Sequence, residues 1–147
     1  MEKNLGPKHA DLALALNNLA FVHYAQGRYD EAEPLYRRAL AIDEKALGKE
    51  HASVTTDLNN LGLLYKKQER FKDAEPLFKR ALAIKEKTLE PGDPSLINGF
   101  RNYASLLRSM DRDKEAAAME DRAQAMEAPN SEEKEKAEEA KAVEVAI

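Results

Sequence analysis

Three histidines, a dense set of carboxylates and a ladder of asparagines are the side chains of this 147-residue chain that could carry chemistry. His9 and His51 lie 42 positions apart in equivalent short segments, so their spacing follows an internal period and implies no shared metal. His23 falls on an apolar helical face where the next copy of the pattern has Tyr65, the ordinary setting of a satisfied core imidazole. None of the three has a convergent partner for proton transfer or metal ligation. There is no cysteine, which removes thiol nucleophiles, disulfides and thiolate metal sites. No glycine-rich phosphate loop occurs. The expectation is a chain with no catalytic, metal or cofactor site.

The asparagines are more informative. Asn18, Asn60 and Asn102 recur every 42 residues, with Asn17 and Asn59 beside the first two. An amide side chain both donates and accepts, so a row of them can satisfy the backbone of an extended ligand whatever its sequence. The alternative is that they tie neighbouring helices together. The surrounding stripe reads Leu14, Phe21 and Tyr24 in the first copy, then Leu63, Lys66 and Lys67, then Asn98, Arg101 and Arg108. Apolar positions could seat an aliphatic or aromatic side chain, and the cations would favour acidic residues.

These residues need helices to align them. Ala (24) and Leu (18) dominate the apolar content while Val and Ile together number 8, a balance that favours helix over strand. Leu5–Ala46 aligned with Leu47–Thr88 is identical at 21 of 42 positions, and a diverged third copy runs from Leu89 to about Ala128. In the first copy Leu12, Leu16, Leu19, Ala20 and His23 mark one face of a first helix. Gln26-Gly27-Arg28 follows as a turn, and a second helix carries Tyr29, Ala32, Leu35, Tyr36, Ala39, Leu40 and Leu47 inward. Pro34 inside that helix removes one backbone bond. Linkers are expected at Gly6–His9, Gly48–His51 and Glu90–Pro94. One such hairpin cannot bury its own apolar face, so neighbours must stack.

The small positions Ala20, Ala32 and Ala39 with Tyr36 between them resemble the packing signature of tetratricopeptide repeats. The 42-residue period, the Asn-Asn-Leu-Ala and Asn-Asn-Leu-Gly segments and the Glu-Ala-Glu-Pro-Leu run are similar to the kinesin-light-chain type. The resemblance implies an all-α, right-handed solenoid of three hairpins over residues 1–128 (about 5–46, 47–88 and 89–128). It also implies that the stripe defined above lines a concave peptide groove. Asn17 and Phe21 stand where a groove clamping a C-terminal carboxylate would carry Lys and Asn, which disfavours that ligand class.

Copy three departs from the pattern: Asp113, Glu120 and Gln124 replace aromatic or leucine positions, as a polar terminal helix would. Residues 129–147 hold six Glu and three Lys and are expected to be a mobile, disordered acidic tail. Glu2–Gly6 matches the end of a second helix, so the chain begins where a preceding repeat would finish and exposes an apolar helix face. The net charge of −4 is the wrong sign for a general nucleic-acid partner. No apolar run is long enough to span a bilayer. The expected role is a cytoplasmic, non-enzymatic scaffold binding an acidic, partly apolar peptide. Weak self-association through the open N-terminal face is the alternative.

Overall fold

A computed structural model describes residues 6–146, and all of its elements are α-helices. They are α1 (Gly6–Ala25), α2 (Tyr29–Leu47), α3 (Ala52–Lys67), α4 (Phe71–Thr88), α5 (Pro94–Ser109) and α6 (Asp113–Ala146). The helices pair in sequence order as hairpins α1–α2, α3–α4 and α5–α6. Met1–Thr88 and Leu89–Ile147 form two compact units. Met1–Leu5, including most of the segment expected to be a helix end, lies outside the described residues.

Each hairpin turns through the same backbone device. Gly27, Glu69 and Asp111 occupy one repeat position with positive φ, 75°, 59° and 59°. The following residue closes a six-to-one bond onto the helix: Arg28 N–H to His23 O, Arg70 N–H to Tyr65 O and Arg112 N–H to Leu107 O, at 2.8–2.9 Å. That is a Schellman cap, which satisfies the last carbonyls of the first helix in every copy. Only copy one uses the glycine that this conformation favours.

The linkers work as helix starts. His51 caps α3 by accepting from Ser53 N–H at 3.1 Å, and Asp93 at the same repeat position caps α5 by accepting from Ser95 N–H at 2.8 Å. The equivalent segment in copy one, Gly6–His9, is not a linker: α1 begins at Gly6. Pro7 sits in its first turn, where a missing N–H leaves no helix bond unmade.

In the first unit, hairpins one and two stack through α2 and α3. Val54, Leu58, Ala81 and Ile84 form one buried cluster against which Leu40 of α2 and Leu77 pack. Ala13, Leu16 and Ala39 form another, flanked by Leu35 and Ile42. Small residues set the helix approach: a Cβ built on Gly62 would stand 3.1 Å from the buried Phe78 ring. Ala32, Ala39 and Ala74 have no exposed surface.

The inner face expected for α1 is corrected. Ala13, Leu16 and Ala20 are buried and His23 is half-buried, whereas Leu12 and Leu19 are 42% and 48% exposed. Their equivalents Val54 and Leu61 are buried because α3 packs on the preceding hairpin; among the described residues no helix packs on α1 in that way.

In the second unit α6 packs on α5 through Ala116 and Ala123, both without exposed surface. The Arg122 guanidinium lies 4.3 Å from the Phe100 ring centroid. Asp113 and Gln124 are exposed, as expected of a polar outer face. Beyond the composition shift at Pro129-Asn130, α6 runs on as helix to Ala146. Ala, Glu and Lys beyond the proline are strong helix formers, and the described side chains there are all exposed, with nothing to bury against.

Candidate functional site

The first unit presents the expected stripe on α1 and α3. Leu14 and Phe21 are both 60% exposed and Leu63 is 40% exposed. Large apolar side chains held open in this way on rigid helices are the feature a ligand's side chain would cover. Phe21 stacks on Tyr24 at 6.2 Å between centroids, and Tyr24 leans on Tyr29 at 5.7 Å. The stripe thus begins with a small aromatic platform. Asn18 is exposed, and Asn59 and Asn60 are half-buried beside Leu63. Lys67 is exposed, while partial burial pulls the Lys66 ammonium below the usual lysine range.

Asn17 is used differently. Its Nδ2 donates to Asp57 Oδ1 at 2.6 Å, tying α1 of hairpin one to α3 of hairpin two. This is the helix-tying role weighed for the asparagines, realised at one of them. Asp57 has no exposed surface and Asp43 of α2 is also buried. The Asp57 carboxyl is pushed up to about 8, first by burial, then by a hydrogen bond to Asp43 that needs its proton; Asn17 opposes the shift. Asn17 Oδ1 has no hydrogen-bond partner among the described residues. Sequence reasoning missed this carboxyl pair, although Asp57 standing where copies one and three have Ala15 and Gly99 was its one signal.

A second missed group joins α2 to α3 and to the turn that precedes α4. The Arg70 guanidinium lies 4.3 Å from the Tyr65 ring centroid and bonds Glu33 at 2.7 Å, and Arg37 donates to the Tyr65 hydroxyl. Burial works to raise Glu33, but the hydrogen bonds from Arg70 and Tyr65 and the charges of Arg70 and Arg37 outweigh it and hold the carboxyl low. This cluster is structural cement between hairpins.

In the second unit Asn98 and Arg101 are exposed, and Asn102 is half-buried. The two arginines expected to greet acidic ligands are already paired. Arg101 bonds Glu127 at 2.7 Å. Arg108 grips Glu120 with two bonds of 2.8 and 2.7 Å and lies 3.6 Å from Asp113. Glu120 replaces the aromatic of copies one and two, and Arg108 holds its carboxyl below the usual range. A fork-shaped ion pair therefore stands where ring packing stood.

His23 Nδ1 is 3.1 Å from Glu31 Oε2 without an aligned hydrogen bond, and His51 caps a helix. Among the described residues no group of three or more His, Asp or Glu is placed to hold a metal, and no helix is long and apolar enough to cross a membrane.

A tetratricopeptide repeat family model matches residues 2–45, 11–87 and 53–126. Among solved structures, BtubC (BKLC) from P. vanneervenii is 28% identical with a TM-score of 0.75, over 81% of this chain and 48% of that one. A putative kinesin light chain with nearly identical repeats from Podosopora anserina is 25% identical with a TM-score of 0.73, over 87% of this chain and 58% of that one. This chain thus spans about half the length of either. The tetratricopeptide domain of Arabidopsis FLU shares the fold at 14% identity, with a TM-score of 0.69 over 80% of this chain and 95% of that one. No curated protein matches the chain.

Proposed function

The chain belongs to the tetratricopeptide repeat family, and from that premise we propose that it is a non-enzymatic, cytoplasmic scaffold holding an extended, acidic and partly apolar peptide along the first helices of its hairpins. The observation that carries this reading is the open apolar stripe of Leu14, Phe21 and Leu63, flanked by Asn18, Asn59 and Asn60. A large apolar ligand residue rests at Phe21 and Tyr24, and the asparagine amides take the ligand backbone. Lys67 supports acidic residues beyond Leu63. In the second unit Arg101 and Arg108 are already held by Glu127 and Glu120, so the acidic preference is not assigned to them. With so few hairpins and an ordering cost for the peptide, affinity is expected around the micromolar range.

A peptide array probed with the wild type, Phe21→Ser and Asn60→Ala tests the reading. Loss of apolar selectivity with the first and a uniform loss of about 0.5–1.5 kcal/mol with the second support it. Equal retention of acidic and basic peptides, or unchanged binding in both variants, refutes it.

One observation favours a second reading, self-assembly through α1. Leu12, Leu19 and Val22 are each 42–49% exposed, while their counterparts Val54, Leu61 and Leu64 are buried in α3. An equivalent apolar face is thus covered in one repeat and open in the other, and covering it removes apolar surface from water.

A further inference from the structure

A cavity of about 720 Å³ in the first unit lies away from the asparagine stripe. It is an open cleft lined by α2, α3 and α4, and it shares no residue with the proposed groove. Leu40, Leu61 and Leu77 supply apolar walls, and Tyr65 and Pro76 also line the cleft. Leu61 and Tyr65 are nearly fully buried, so the cleft is fixed by the hairpin core and not by loops.

Its rim is charged with one effective sign. Lys45, Lys49 and Lys72 border the cleft and are exposed, and none of the three makes an ion pair among the described residues. Two carboxylates also line it, but each is neutralised. Glu44 is 3.1 Å from Arg80, and Asp73 is 3.0 Å from Arg70, both arginines lying outside the lining. What remains is a surplus of ammonium groups around an apolar floor. Carboxylates flanking a large apolar side chain complement that arrangement, with the side chain desolvated between the helices and the acids meeting the lysines at the solvent edge.

We infer that the cleft between α2 and α4 is a second peptide site, taking a short acidic segment of a partner protein through one leucine- or phenylalanine-sized residue flanked by Asp or Glu. The inference goes beyond the groove reading, since neither site needs the other.

The test is a titration of the full chain, ¹⁵N-labelled, with a short synthetic peptide carrying one central leucine between glutamates. Two control peptides replace the leucine with serine or the glutamates with lysines. The expected result is amide shifts at Leu40, Lys45, Lys49 and Lys72. Lys45→Glu with Lys49→Glu should weaken binding about tenfold at low salt, and added salt should narrow that gap. Both lysines are exposed, so the fold survives the change, which an unchanged melt verifies. Phe21→Ser should leave the cleft shifts in place. Shifts confined to Phe21, Asn60 and Leu63 would overturn the inference while leaving the groove reading intact. Shifts at the cleft alone would do the reverse. Equal binding of the lysine control, or unchanged affinity in the double variant, would also overturn it.

Discussion

Asp57 stands where the other copies have Ala15 and Gly99, and its carboxyl is the most perturbed acid described. Asp43 and Glu44 of α2 and Asn17 of α1 are the groups that act on it, and the negative charges and burial together favour the protonated form. The sign of the pH dependence follows. The folded state keeps a proton up to about pH 8, whereas the unfolded chain releases it near its ordinary value of 3.8. The stability that protonation contributes is complete below about pH 4, declines as pH rises, and is gone once pH passes the folded value. Denaturant midpoints should therefore fall between pH 5 and pH 9, and Asp57→Asn should flatten that slope. An equally steep decline in the variant would dismiss the carboxyl pair as its source. A second residue-scale expectation concerns Glu69, held at φ 59° where copy one has Gly27. A left-handed conformation costs a β-carbon about 1–2 kcal/mol, partly offset by the freedom glycine gains when unfolded. Glu69→Gly should stabilise the chain by about 0.5–1 kcal/mol, measured by urea denaturation.

Helix starts and crossings carry the next scale. The repeat position occupied by His51 and Asp93 looks in sequence like a candidate for chemistry, and its work is capping. Asp93→Ala should cost about 1 kcal/mol, because the Ser95 amide loses its acceptor and the negative charge near the helix N-terminus is gone. His51→Ala should cost less, since a neutral imidazole nitrogen is the weaker acceptor. Equal losses would show that the linker backbone and not the side chain sets the helix start. At the crossing of α3 and α4, Ala74 has no exposed surface. Ala74→Leu should destabilise by about 1–3 kcal/mol through overpacking, read as a lowered denaturation midpoint. An unchanged midpoint would contradict the helix spacing described.

At the scale of the whole molecule, the proposed self-assembly would use the open face of α1. The two-fold use of one apolar patch would close a dimer, whereas insertion into a different surface would build longer assemblies. Sedimentation velocity over a concentration series should show weak association that Leu19→Glu abolishes while helicity and melting temperature stay unchanged. Leu19 is half-exposed, so the substitution leaves the monomer core intact. A strict monomer at all concentrations would remove the assembly reading without touching the peptide groove.

Much of this architecture was legible in the sequence because stacked repeats are built from local rules. Period, helix phase, small crossing residues and the turn at Gly27 all act within one hairpin, and apart from the start and inner face of α1 the helices lie where those signals put them. Tertiary structure decided what depends on neighbours. Leu12 and Leu19 read as core by periodicity, yet burial needs a second surface, and among the described residues none covers α1 on that side. Asn17 and Asn60 are indistinguishable as letters, but only Asn17 meets an aspartate forty residues away. Arg101 and Arg108 read as free cations until α6 folds its glutamates onto them. The Lys-rimmed cleft has no sequence signature, since its walls come from three helices and its net charge depends on which carboxylates find an arginine. Helix formation and phase are set by residues a few positions apart; exposure, pairing and residual charge are set by whatever the fold brings beside them.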